Sequence, residues 1–173
     1  MMMLNWTKIL EVMDEANPQH EGPYKVGVYI RSGDTSNQVP FALFHQDAME
    51  KMVRAISRLE LDASYAEFGY SGRILQGRLQ LKRLLEKAQN GNVDIILTNS
   101  INRLASNLKT MAEIAEVLKK APHPIGLVFE KEAMMVMSTE LTEWIENMAR
   151  VGNYSRHVRM VAADRYPASS MPL

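Results

Sequence analysis

Four short apolar runs, the first three each followed by a segment of helical periodicity, constrain this chain more than anything else in it. Residues 26–30 (VGVYI), 59–66 (LELDASYA), 93–97 (VDIIL) and 125–129 (IGLVF) read as strands. Helical patterns follow the first three. Leu43, Met49, Met52, Val53 and Ile56 recur through 39–59, and Leu81, Leu84, Leu85 and Ala88 through 78–90. Leu108, Met111, Ala115 and Leu118 recur through 107–120. Strands alternating with helices predict a three-layer α/β domain around a mostly parallel four-stranded sheet with right-handed crossovers. Asn107 is placed to cap one helix and Gly91 to end another. Residues 4–16 read as a short amphipathic helix with Trp6, Ile9, Leu10 and Met13 on one face. Residues 138–166 read as one long helix capped by Ser138, with Gly152 marking a bend. The expected division is an N-terminal helical extension and linker over 1–23, an α/β domain over 24–137, and a long C-terminal helix and tail over 138–173.

Composition narrows the chemistry. At 173 residues with 46% hydrophobic and 23% charged side chains, the chain can bury a core as one domain. No run approaches the ~18 apolar residues of a membrane span. The first residues carry acids and lack a small-residue cleavage site, unlike a secretory signal. There is no Cys, which excludes disulfides, thiolate metal sites and Cys nucleophiles, and fits a cytoplasmic location. His20, His45, His123 and His157 are scattered without ligand spacing, so no metal is expected. Net charge is zero, so any nucleic-acid contact must come from a local patch.

The first strand emits Arg31 at its carboxyl end, into a loop rich in Gly and hydroxyl residues (Ser32, Gly33, Thr35, Ser36). Carboxyl ends of strands are where α/β sheets collect chemistry, and such an Arg suits a phosphate; a merely solvated Arg is the plainer alternative. The other basic cluster is Arg150, Arg156, Arg159 and Arg165 in the C-terminal helix.

Several motifs stand in a set order. Tyr29-Ile30-Arg31 leaves the first strand, and Leu43 and Gln46 follow in the next helix. Glu67-Phe68-Gly69-Tyr70-Ser71-Gly72 follows the second strand, with Arg78 six residues on. Then come Asp94-Ile95-Ile96-Leu97, Ser100-Ile101-Asn102-Arg103-Leu104-Ala105 and Phe129-Glu130-Lys131-Glu132. Together they resemble the catalytic domain of serine site-specific recombinases, the resolvase/invertase family, closest in flavour to the large serine recombinases. The resemblance spans roughly residues 25–160.

The resemblance implies a phosphoryl-transfer site on DNA. A Ser two residues after the first-strand Arg attacks a phosphodiester and becomes linked to the 5′ end, while several Arg hold the phosphate. The covalent link stores the bond energy, so no cofactor is implied. Arg31, Arg78 and Arg103 stand at phosphate-binding Arg positions, and Gln46 at the Gln of the first helix. The departures fall at chemical positions: Gly33 occupies the nucleophile position, Asn102 the acidic or Ser position before Arg103, and Ser106 the second Arg of that motif. Ser32 is the alternative nucleophile, although neighbours in an extended chain point to opposite sides. In the family the long helix forms a dimer and its basic end lies on DNA, here Arg150, Arg156 and Arg159, and a DNA-binding domain follows; this sequence stops at Leu173. The expected function is therefore a recombinase catalytic-domain homologue impaired in strand cleavage. Expected partners are DNA, bound weakly and without sequence preference, and a second copy joined through the C-terminal helix. An active domain using Ser32 and a non-enzymatic dimerising protein are the rivals. A nucleotide or phosphatase site lacks P-loop spacing.

Overall fold

The computed structural model describes residues 3–33 and 39–151. Strand β1 (Tyr24–Ser32) lies inside the sheet between β2 (Leu59–Phe68) and β3 (Ile95–Thr98), with β4 (Gly126–Phe129) and β5 (Met134–Met137) beyond, in the order β2-β1-β3-β4-β5. The first four are parallel; β5 is antiparallel to β4. The fold is thus the α/β architecture expected, with five strands in place of four. The extra strand is MMVM, which lacks β-branched residues except Val136 and announces no period of its own. It forms because the chain turns back after β4, with Ala133 in the left-handed region (φ 49°) and its N–H bonded to the Glu130 carbonyl at 3.1 Å.

One face of the sheet is covered by α1 (Trp6–Ala16) and α2 (Val39–Arg54). Ile9, Leu10 and Met13 of α1 and Met49 and Val53 of α2 lie in one core with Val26, Val28, Ile95, Leu97 and Val128. Helix α1 starts where Asn5 accepts from the Lys8 N–H and is held at its other end by Asp14, which accepts from Tyr24 (2.7 Å) and from both Arg58 Nη atoms (2.7 and 2.8 Å). The opposite face carries α3 (Leu79–Gln89), the single-turn α4 (Ile101–Leu104), α5 (Leu108–Leu118) and α6 (Leu141–Val151). Asn107 caps α5 by accepting from the Thr110 N–H, as its position predicts. Leu43, expected inward, is 49% exposed, because α2 reaches beyond the sheet at its first turns.

The C-terminal helix departs from expectation at its start. Ser138 does not cap it. Its N–H donates to the Ile125 carbonyl (2.7 Å) and its hydroxyl accepts from the Ile125 N–H (2.9 Å), so it prolongs the β4–β5 ladder. A 3-10 turn (Ser138–Glu140) then leads into α6. The expected open seam at Trp144 and Met148 is closed as well: both are buried, packed with α5 in the domain's own core. Arg150 is exposed at the end of α6; Arg156, Arg159, Arg165 and the Gly152 bend lie outside the described residues. Among the described residues no helix is long and apolar enough to cross a membrane.

Candidate active site

At the carboxyl end of β1 the pleat sorts the side chains. Tyr29 belongs to the core under α3 and α5, Ile30 to the core under α2. Period two therefore sends Arg31 to the α3 side and Ser32 to the α2 side.

Arg31 is buried, and every nitrogen of its guanidinium donates to a backbone carbonyl: Nε to Arg103 (2.9 Å), Nη1 to Tyr70 (2.9 Å) and Nη2 to Asn102 (2.8 Å). Burial first, then repulsion from Arg78, lowers its pKa to about 10, which leaves it charged at neutral pH. Gly72 makes this placement possible, since a Cβ there would sit 2.5 Å from Nη2.

Arg78 is 1% exposed. Its Nε and Nη2 donate to the Tyr29 hydroxyl (3.1 and 2.8 Å) and Nη2 to the Leu104 carbonyl (2.6 Å). The Glu67 carboxylate lies 3.7 Å from Nε, accepts from Tyr29 (2.6 Å), and takes the Gln80 N–H (2.7 Å) at the start of α3. A carboxylate at that end of a helix is favoured by the helix dipole. Burial is the main cause that raises the Tyr29 pKa above its ordinary value.

Asn102, Arg103 and Leu104 carry the last carbonyls of α4, which have no partner inside so short a helix. Arg31 and Arg78 supply those partners, with positive charge at the negative end. Two of the arginines that the sequence offers to a phosphate thus fasten α4 and the 69–78 loop to β1.

The other side is open. A cleft of about 390 Å³ is lined by Tyr29, Ile30, Arg31, Ser32, Phe41, Ala42, His45, Asn99 and Arg103. Ser32 is 2% exposed yet borders it. Arg103 is half-buried, and among the described residues no hydrogen bond engages its guanidinium. Gln46 does not reach the cleft lining; its Nε2 donates to Glu50 at 3.1 Å, and His45 occupies the cleft wall. Glu130 lies close enough to His45 to feel its charge and accepts a long bond from Asn99 (3.4 Å); burial raises its pKa. Among the described residues, a Cβ added at Gly33 would meet only Arg31 Nη1, at 3.9 Å. Ser106, at the second Arg position of the family motif, keeps a buried hydroxyl without a partner among the described residues.

Of the residues singled out in the sequence, the structure places Arg31, Ser32 and Arg103 at one cleft, together with Phe41, His45 and Asn99, which the sequence reading did not offer as site residues; nor did it offer Glu67, quoted there only within a motif, as the partner of Tyr29 and Arg78. His45 had one signal, its place four residues after Phe41 and four before Met49 on a helical ridge. Glu67 and Asn99 stand directly after or within strand ends, where a carboxylate or amide is ordinary loop composition.

The sequence profile described as the resolvase N-terminal domain matches residues 28–158. A search of curated proteins finds no match. Among solved structures, the fold is similar to the N-terminal catalytic domain of TP901-1 integrase (TM-score 0.58, 20% identity, 78% of this chain and 98% of that one). It is also similar to a resolvase family site-specific recombinase from Streptococcus pneumoniae (0.57, 19%, 82% and 94%). A third likeness is the C-terminal catalytic domain of ISC1926 TnpA, an IS607-like serine recombinase (0.51, 17%, 72% and 79%). With the profile covering most of its length, this chain belongs to the resolvase N-terminal domain family.

Proposed function

We propose that this domain binds DNA through its phosphates but is impaired in, or has lost, strand cleavage. One observation carries the reading: the Arg31 guanidinium is committed to three backbone carbonyls, beside a Gly33 that has no hydroxyl to offer. Arg78 is likewise enclosed. Loss of one preorganised donor is commonly worth about 10²–10³ in rate, and here the nucleophile is absent as well. Contact with DNA falls to Arg103 at the cleft and to Arg150, with Arg156 and Arg159 following in sequence. Three or four phosphate contacts give a log–log salt slope of about −3 and no sequence preference. Self-association through the C-terminal segment, as in a recombinase dimer, completes the reading, although Trp144 and Met148 do not supply its interface.

The test is covalent capture on a nicked suicide DNA substrate, read on a denaturing gel. No protein–DNA adduct is expected. An adduct that vanishes in Ser32→Ala would overturn the reading and make Ser32, which borders the cleft beside His45 and Arg103, the nucleophile.

A further inference from the structure

After β4 the chain turns through Glu130, Lys131 and Glu132 and runs beside the segment that leads from β3 into α4. The Glu130 N–H donates to the Thr98 carbonyl (3.0 Å) and the Lys131 N–H to the Asn99 carbonyl (2.7 Å), so the turn continues the β3–β4 ladder past its last paired residues. Lys131 is exposed. The half-buried Glu132 next to it sets its carboxylate against the start of α4, where the two oxygens accept from the Ile101 N–H at 3.3 and 3.4 Å. The first N–H groups of a helix have no partner inside it, and Ile101 is fully buried, so water is no substitute for this carboxylate.

Helix α4 is a single turn. One turn has little stability of its own, because fixing it restrains several dihedrals for few hydrogen bonds. Its position is therefore set from outside. Arg31 and Arg78 hold the carbonyls of Asn102, Arg103 and Leu104 at one end, and Glu132 holds the Ile101 N–H at the other. Each charge has the sign that the helix dipole favours at the end it meets. Between the two clasps stands Arg103, whose side chain lines the cleft. Without Glu132 the turn stays fastened at its end and is free to pivot at its start, which displaces the base of the Arg103 side chain.

We propose that Glu132 is a positioning residue for phosphate binding: it fixes the turn that presents Arg103 to DNA and touches no DNA itself. The inference rests on the contact proposed above between Arg103 and a DNA phosphate. An acid close to such a contact repels DNA by its charge alone. The two roles therefore have opposite signs: removing a repulsive charge tightens binding, whereas removing the clasp loosens it.

The experiment uses the full chain and a fluorescein-labelled duplex of mixed sequence, with anisotropy read across a range of salt. Arg103→Ala is expected to weaken binding about three- to tenfold at low salt and to flatten the log–log slope by about one unit, the share of one phosphate. Glu132→Ala is expected to weaken binding at least about threefold and to flatten the slope in the same direction, although it raises the net charge by one. Glu132→Gln, which keeps an acceptor oxygen, should recover most of that loss. Glu132→Asp keeps the charge but draws the carboxylate back by one methylene; it should weaken binding about twofold, and it carries the test where Glu132→Ala does not fold. In an Arg103→Ala background neither Glu132→Ala nor Glu132→Asp should weaken binding further, since both act through Arg103. Urea unfolding of each variant gives the folded fraction to which the affinities are referred. Glu132→Ala and Glu132→Asp binding as tightly as the parent, or tighter, overturns the inference and leaves the DNA reading standing. So does an equal loss with and without Arg103, the mark of a general loosening of the fold. Absence of binding by the parent, or an Arg103→Ala variant that binds as the parent does, overturns the DNA contact at Arg103 and the inference with it.

Discussion

The two sides of the β1 carboxyl end differ in how their polar groups are used. On the α3 side, Arg31, Arg78, Tyr29 and Glu67 are buried and bonded to one another or to backbone carbonyls. On the α2 side, Arg103, His45 and the exposed Phe41 border a cleft. Family resemblance places three arginines at the phosphate; in this chain Arg31 and Arg78 are bonded within the fold, and Arg103 of the three lines the open cleft with no hydrogen bond to its guanidinium among the described residues. Position in a motif and availability to a ligand are separate properties.

Substitutions on the closed side should therefore cost stability, and those on the open side should not. The largest effect is expected for Arg78→Ala, which strands Glu67 and the Leu104 carbonyl in the interior: about 3–5 kcal/mol by urea unfolding. A loss under about 1 kcal/mol would mean that the network is dispensable and that Arg78 is available for other work. Arg31→Lys should cost about 2–3 kcal/mol, since an ammonium cannot reach three carbonyls in the guanidinium's fan. Gly72→Ala should cost about 1–3 kcal/mol by pushing its Cβ into Arg31 Nη2; a neutral result would show that Arg31 can move aside.

Just beyond the strand end, Gly33→Ser should change stability by less than about 0.5 kcal/mol, because among the described residues its Cβ finds only the 3.9 Å contact with Arg31. That variant also sharpens the contrast. If it forms a covalent DNA adduct, the closed arginines can still serve a phosphate; if it folds normally and forms none, their commitment to carbonyls is what silences the site.

The smallest effect concerns pH. Burial raises the Glu130 pKa above its ordinary value. A raised acid favours the fold while protonated, so its contribution is present below the unfolded-state pKa and is lost as pH rises through the folded one. Glu130→Gln should raise stability slightly at neutral pH and flatten the pH profile just above the usual carboxylate range. An unchanged profile in chemical denaturation would remove Glu130 from the account.

Much of this was legible in the chain. The apolar runs and helical ridges gave the layers, because burial on two faces or one leaves a period that composition cannot hide. The Met134–Met137 strand was not legible, since methionine is a better helix former than strand former and only the turn at Ala133 and the pairing with β4 decide it. Nor was the role of Arg31. A guanidinium bound to phosphate and one bound to carbonyls have the same neighbours in sequence; only the approach of the α4 carbonyls, across some seventy residues of chain, distinguishes them. The amphipathic seam of α6 was visible, but its period does not say whether the cover is α5 or another molecule.

The order β2-β1-β3-β4-β5 has a consequence for a chain made from its N-terminus. The interior strand β1 is synthesised first, yet its Val26–Tyr29 pair with Ile95–Thr98 and its Tyr24–Ser32 with Leu59–Phe68. At roughly 5–20 residues per second, β1 waits several seconds on the ribosome with both hydrogen-bonding edges unfilled, and the β4–β5 hairpin, the one local pairing in the sheet, arrives last. Parallel, non-local pairing of this kind is slow. The nascent chain should thus be most vulnerable to aggregation and to chaperone capture between the appearance of β1 and that of β3, and α1, already out and apolar on one face, is the first cover within reach.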